Sequence, residues 1–566
     1  MEGDYSRDTF DPIKHFSRVL VQQGRVQLDA DWNEQASISL HYLRTLAVDL
    51  IGPHGGPADR LGFEITPRNQ PDPPKLKDLT IGPGHYYVDG ILCENERRKE
   101  LLSYYHQSDY PLDPERREGD RVPDGALLVY LDVWERHITY IEDDSIREVA
   151  LGGPDTAARA RTVWQVKVKS FEKLLDLATV GIAQITCGSH QLVDAMNKLR
   201  NLLQPFNQER MAARAQVPEE TDATNPCIVS PEAHYRGAEN QLYRVEIHRS
   251  GHSWDGHTEG AKTGAATFKW SRENGAVVFP IQSLTGNTVI LESLGRDDRF
   301  GLEVGDWVEI VDDNYVLRAV SEPLLRVETV DRIDMRVTLS GAPTFGHNPS
   351  KHPLVRRWDH RAGDSATGNL TLASDGAALM VGSTTAWLNL EDGVQVRFQK
   401  GQYRRGDYWL IPARTATGDI EWPGPKENPP ALPPRGVEHH YAPLAVVIPE
   451  LGRGFLVRDL RHSIAPIGSC CPKIEVLNPP TAPGPSATVR LGPIPFAVRV
   501  SGRNTDLKYR WSITGGTITG VDNTASITVA PNDKSDVVIA VVVIEGLPGD
   551  CPNSAMGACA IVKEPS

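Results

Sequence analysis

The sequence predicts a mainly β, multidomain protein: an N-terminal strand-turn-helix segment, then barrel- or sandwich-like β modules, then a C-terminal β-sandwich. Three observations carry that expectation. The 566 residues exceed what one ordinary hydrophobic core holds. Short runs rich in Val, Ile, Thr, Tyr and Trp recur at close intervals from Leu79 onward, bounded by Gly, Pro, Asp and Asn. Helical periodicity is confined to two stretches, one after Leu28 and one between Phe171 and Arg214. The expected divisions are 1–54 for a docking arm and helix, 55–225 for a β-rich domain with a helical insert, 226–350 for a β-barrel-like module, 351–466 for a second β module and 467–566 for the terminal sandwich.

The first segment organises the rest. Val19-Leu20-Val21 and Val26-Gln27-Leu28 read as two short extended pieces about a turn at Gln23-Gly24-Arg25. A helix follows. Asp29 or Asp31 serves as its N-cap, and Asp31 with Glu34 approximates a capping box, carboxylates being favoured at the positive end of the helix dipole. Trp32, Ala36, Leu40, Leu43, Ala47 and Leu50 recur at three- and four-residue steps until Gly52-Pro53 ends the run. Such a stripe must be buried against its own domain, a second copy or a partner.

From Gly55 to Lys77 the chain is rich in Gly and Pro and reads as a connecting loop rather than a core element. Leu79-Thr80-Ile81, Tyr86-Tyr87-Val88 and Ile91-Leu92-Cys93 then read as strands, with Asp89-Gly90 suited to a tight hairpin. Further strands are expected at Ala126 to Val133 and Thr162 to Val168. Leu192, Met196, Leu199, Leu202 and Leu203 share a helical face that Pro205 ends. Strands return at regular spacing from Tyr243 to Leu339, as in a barrel or sandwich, and again from Trp387 to Ile411. Gly305-Asp306-Trp307 and Gly406-Asp407-Tyr408-Trp409 repeat one turn-into-strand device. In the last module, Phe496 to Gly502, Tyr509 to Ile513, Ala525 to Val529 and Val537 to Ile544 are strand-like.

Apolar content of 40% and charged content of 24% are those of a globular chain, and no apolar run is long enough to span a bilayer. The acidic start MEGDYSRDTF lacks a secretion-signal core, so folding in the cytoplasm is expected. A net charge of −14 excludes a general nucleic-acid or anionic-membrane binder, because phosphate binding needs concentrated positive charge. Of seven cysteines, Cys93, Cys187 and Cys227 read as small buried hydrophobes, while Cys470, Cys471, Cys551 and Cys559 bracket the last module. A disulfide across that module would close a loop of about ninety residues and add about 4–5 kcal/mol. Reduced thiols and a four-cysteine zinc site are the other readings, and redox compartment decides among them.

The string GDYSRDTFDPIKHFSRVLVQQGRVQLDADWNEQ, Gly3 to Gln35, resembles the opening of a bacterial family associated with contractile injection systems and phage-tail-like particles. His85 to Gly90, HYYVDG, is similar to the YVDG strand and turn of phage tail proteins, and Val129 to Val166 resembles another hallmark of the same group. Tyr509-x-Trp511 with Gly515-Gly516-Thr517-Ile518 resembles polycystic-kidney-disease and immunoglobulin-like sandwiches, in which Trp511 is a core residue. The N-terminal resemblance implies a structural or adaptor component, fibre-like or baseplate-peripheral, of a contractile injection particle. Its partners would be baseplate, sheath or tube proteins and further copies of itself. It implies no catalytic residues and no cofactor, and extracellular exposure only after particle release.

Candidate chemistry is sparse. His248, His252, Asp255 and His257 could ligate a metal, but the loop holds two glycines and no helix to gather them. His439-His440 is a weaker pair. Glu142-Asp143-Asp144 and Asp312-Asp313 offer carboxylates, but strand neighbours point to opposite faces. No nucleophile elbow, phosphate loop, dinucleotide fingerprint or His-Glu-x-x-His stands in a credible setting. The alternative reading is a carbohydrate-binding or carbohydrate-cleaving surface protein, using Trp254, Trp387 and Trp409 as platforms.

Overall fold

The computed structural model describes residues 2–560, except 71–74, 97–100, 114, 116, 154, 171–189, 204–208, 217–233, 296, 298, 364–369, 383–385, 451–453, 465–473, 478–492, 501–506 and 547–552. Strands dominate, as expected for a mainly β multidomain chain. They fall into two units, Met1–Ile464 and Ala465–Ser566.

In the larger unit the two longest strands, Leu127–Ile138 and Arg159–Ser170, pair antiparallel along their whole length, Leu127 opposite Ser170 and Ile138 opposite Arg159. Successive side chains of the first strand point to opposite faces, so Leu127, Val129, Leu131 and Val133 enter one core while Leu128 and Tyr130 enter another. His440–Glu450 pairs with the free edge of Leu127–Ile138, and Gly454–Asp459 completes a four-stranded sheet. Residues more than 300 positions apart thus share one layer. Against it lie the three-stranded sheet of Ile65–Gln70, Lys75–Ile81 and Leu102–Ser103 and the four-stranded sheet of Ser463–Ile464, His54–Pro57, Gly84–Val88 and Ile91–Asn95. On the outer face packs helix α2, His190–Leu203, through Leu192, Ala195, Met196 and Leu199. Leu202 is exposed, and Pro205 lies outside the described residues.

A second core joins a five-stranded sheet, with Gln241–Arg249 at its centre, to the three strands Leu388–Asn389, Val394–Phe398 and Met211–Ala215. Trp270, Phe268, Phe398 and Trp409 fill it. Between Thr267–Ser271 and Ala378–Leu379 of that sheet the chain makes a closed six-stranded barrel: Val278–Thr285, Thr288–Leu291, Arg336–Leu339, Leu325–Asp331, Trp307–Val311 and Leu354–Trp358. Its last strand lies beyond residue 350. The short helix α3, Asp313–Leu317, is capped by Asp312, whose carboxylate accepts from Tyr315 N at 2.9 Å. Gly305 and Gly406 both have positive φ, 99° and 80°, so the two Gly-Asp turns enter their strands by the same backbone device.

A buried ion cluster clamps barrel to sheet. Lys269 donates to both Glu309 oxygens at 2.7 Å and lies 3.3 Å from Glu246, which Arg244 bridges at 2.6 Å. Tyr315 Oη and Trp358 Nε1 donate to Glu309 at 2.6 and 3.0 Å. Burial opposes the Glu309 carboxylate, but Lys269 holds its pKa well below the ordinary value. A cavity of about 160 Å³ lies against this group, lined by Ile310, Leu325 and Phe345 among others.

The smaller unit is a sandwich of a four-stranded and a three-stranded sheet. Phe496, Val529, Trp511, Ala540 and Val542 meet between the sheets, and Trp511 Nε1 donates to Thr524 O at 2.8 Å. The indole therefore buries its apolar body while its one donor is satisfied.

Candidate assembly surface

The sequence from Asp29 to Ile51 forms helix α1. Its first residue lies one position earlier than a cap at Asp29 requires: Leu28 occupies the N-cap, and Asp31 accepts from the Leu28 N–H at 3.3 Å. Asp29 is spent on Ser6, whose N–H and hydroxyl donate to it at 2.8 and 2.5 Å. Burial works against the Asp29 carboxylate, yet these hydrogen bonds keep its pKa below the usual range. Glu34, the expected capping-box partner, accepts from Thr9 instead, at 2.5 Å. The helix ends at Gly52, with φ of 88° and its N–H on Val48 O at 2.7 Å.

Little of α1 is buried. Only Ala30 and Ile38 are, each 2% exposed. Of the predicted stripe, Trp32 is 77% exposed, Leu43 64%, Leu50 56% and Leu40 41%, with Ala36 and Ala47 intermediate or more open. At about 100° per residue, Trp32, Leu43 and Leu50 lie roughly 120–140° around the helix from Ile38. The periodicity is therefore real, but the unit that carries the helix leaves its apolar face largely uncovered. Tyr42 and Leu46, absent from the predicted stripe, are exposed beside it.

What seats the helix is the Asp89-Gly90 turn. Both residues have positive φ, 46° and 77°, and join Gly84–Val88 to Ile91–Asn95 in a two-residue hairpin with Val88 opposite Ile91. A Cβ at Gly90 would lie 2.4 Å from Arg44 O, so glycine permits the helix backbone to rest on the turn. Asp89 accepts from His440 Nδ1 at 3.0 Å, and Arg44 bridges Glu135 at 2.7 Å.

Before the helix, residues 2–10 are tied across the unit. Glu2 bridges Arg356, Gly3 and Asn274 exchange backbone and side-chain hydrogen bonds, Tyr5 Oη lies 3.0 Å from His137 Nε2, and Arg435 pairs with Asp8. Residues 12–28 differ. Ile13, Phe16, Leu20, Val21, Val26 and Leu28 are exposed, and the turn expected at Gln23-Gly24 is present, with Gly24 at φ 71°. The flanking pieces carry no strand ladder. This run contains no Asp or Glu, a signal that was available in the sequence.

Beside α1 opens a groove of about 890 Å³, bounded by Leu40, Leu43, Arg44 and Ala47 and by the strand Ile91–Asn95. That strand pairs only with Gly84–Val88 among the described residues and is the edge of its sheet.

The other candidate residues are engaged locally. His248 is buried beside Lys269, with its pKa pushed down to about 3 by burial, whereas His252 and His257 are exposed and Asp255 closes a turn on Thr258. Among the described residues no three His, Cys, Asp or Glu converge as a metal site. His439 and His440 bond separate carboxylates, Asp132 at 2.7 Å and Asp89. Asp143 caps a turn at Ser145, Asp144 pairs with Arg147, and Asp313 bridges Arg136 and His352. Trp254 and Trp409 are buried, and Arg214 and Arg397 sit over the Trp387 ring. Cys93 is buried with its thiol pKa raised, and Cys559 is buried on the strand Ser554–Ala560. Cys187, Cys227, Cys470, Cys471 and Cys551 lie outside the described residues, and with them the expected disulfide.

Residues 1–172 and 168–454 match the model of a family of unknown function, DUF6519. The chain belongs to that family. No curated protein and no solved structure matches it. The family spans α1, its groove, both large cores and the barrel, so the exposed helix belongs to the family region, whereas the terminal sandwich lies beyond the match.

Proposed function

We propose that the protein is a structural or adaptor component, fibre-like or baseplate-peripheral, of a phage-tail-like contractile injection particle. It is made in the cytoplasm and leaves the cell with the particle. The observation that carries the reading is the apolar face of α1: Trp32, Leu40, Leu43 and Leu50 are exposed on a helix whose own unit buries only Ala30 and Ile38. Contiguous exposed apolar surface marks an interaction site. The resemblance of Gly3–Gln35 to proteins of such particles supplies the kind of assembly. No helix among the described residues is long and apolar enough to cross a membrane.

The test is purification of the tagged full chain from producing cells without detergent. Co-purifying sheath and tube proteins support the reading, and absence of this chain from intact particles isolated from the same cells overturns it.

A further inference from the structure

We propose that the exposed face of α1 pairs with α1 of a second copy of this chain, the two helices running antiparallel about a two-fold axis. The inference rests on the assembly reading above and names the partner. Trp32, Ala36, Ser39, Leu43, Leu46 and Leu50 follow one another at alternating steps of four and three residues, the spacing of a heptad seam, and all of them are exposed. The side of the helix that packs on its own unit is supplied separately, by Ala30 and Ile38. A narrow seam of this period is the pattern by which one helix receives another.

Side-chain volumes set the direction. In a parallel pair like meets like: Trp32 crowds Trp32, while Ala36 on Ala36 and Ser39 on Ser39 leave the seam hollow. In an antiparallel pair centred beside His41, Trp32 meets Leu50, Ala36 meets Leu46 and Ser39 meets Leu43. Each small residue then faces a leucine, and the layers fill evenly. The helix dipoles also oppose each other in this arrangement.

The flanks agree with the seam. Antiparallel pairing brings Leu40 onto Leu40 and Tyr42 onto Tyr42 at the two-fold axis, with Asn33 beside Ala47 and Gln35 beside Asp49. Among these seam and flanking positions Asp49 alone carries a charge, and it meets an amide rather than a carboxylate. Gln35 Nε2 has a second N–H beyond the one it gives Ser39 Oγ at 3.2 Å. In a chain of net charge −14, a self-contact needs a face on which like charges do not meet.

Burying this face costs little. Ser39 Oγ donates to Gln35 O at 3.0 Å and accepts from Gln35 Nε2, so drying the seam leaves no orphaned hydroxyl. The helix is already formed and rests on the Asp89-Gly90 turn, so pairing orders no new segment. The exposed fractions of Trp32, Leu40, Tyr42, Leu43, Leu46 and Leu50 amount to roughly 700 Å² per copy, near the about 800 Å² per partner of a standard interface. A two-fold axis uses the same patch on both copies and closes the assembly.

The experiment measures the mass of the full chain by sedimentation equilibrium over a concentration series, then maps neighbours by cysteine pairing. The parent should dimerise, and Leu43→Asp should weaken the dimer by about tenfold or more while keeping the parent unfolding midpoint. Trp32→Cys and Leu50→Cys, both at exposed positions, give the direction. Mixed and mildly oxidised, the two variants should form a disulfide between position 32 of one chain and position 50 of the other, identified by peptide mass apart from the native cysteines. Neither variant alone should link to itself through the introduced thiol, because roughly 27 Å of helix then separates the two copies of that position. Self-linking of either variant alone, or no link in the mixture, overturns the antiparallel pair. A parent monomeric at every concentration, or an assembly that Leu43→Asp leaves intact, overturns the second copy as partner. Co-purification with particle proteins then decides the broader reading by itself.

Discussion

At the scale of single residues, burial and pairing decide which charges this protein keeps. Glu209, 3% exposed, has its pKa pushed up to about 9 by burial and by its hydrogen bond and charge contact with Asp407, which Arg404 bridges at 2.8 Å. The folded protein therefore holds a proton on Glu209 that the unfolded chain releases above about pH 4.3. Stability from this group is complete below that value and falls as pH rises toward about 9, because the unfolded state binds fewer protons. Glu209→Gln keeps a donor to Asp407 and removes the titration. Thermal unfolding midpoints should thus fall less for the variant than for the parent between pH 6 and pH 9, and parallel curves would refute the shared proton. None of this was readable in the sequence, where Glu209 and Asp407 stand almost two hundred positions apart.

At the scale of elements, the hairpin at Asp89-Gly90 was legible and its consequence was not. An Asp-Gly pair between apolar strands signals positive φ at both positions, and both have it. That α1 rests on this turn, with Arg44 O against Gly90, is a long-range contact that no local pattern encodes. Gly90→Ala should cost about 1–2 kcal/mol for the left-handed backbone alone, and more through the displaced helix. Chemical denaturation measures it. A variant as stable as the parent would mean that the helix does not sit on the turn. The stripe of α1 was likewise legible as periodicity, but periodicity says only that one face is apolar, not whether the same chain covers it. Leu28 as N-cap was not legible, because Asp31 at the third helical position satisfies the cap N–H, a role that does not require a polar cap residue.

At the scale of the whole molecule, the β character, the barrel and the terminal sandwich follow from strand spacing, whereas strand partners do not. His440–Glu450 adds to a sheet formed by residues 127–170, and Met211–Ala215 pairs with Val394–Phe398, so the larger unit is interleaved rather than laid out in sequence order. The smaller unit is built from sequential strands around Trp511, which made it readable as a module. Trp511→Ala should cost about 3–5 kcal/mol there, as for other large-to-small core changes. The loss should appear in the unfolding of Ala465–Ser566 and leave the transition of Met1–Ile464 in place. A single transition shifted as a whole would show the two units to be one cooperative body.

The central claim is that the exposed face of α1 is an assembly contact, and replacing Leu40 and Leu43 together with Asp tests it most directly. Both side chains are exposed in the single chain, so the doubly substituted protein should fold with an unchanged unfolding midpoint. The measurement is its mass in solution together with its recovery on purified particles, beside the parent. The account predicts a folded monomer absent from particles. A folded variant with the parent's mass and particle association would contradict it.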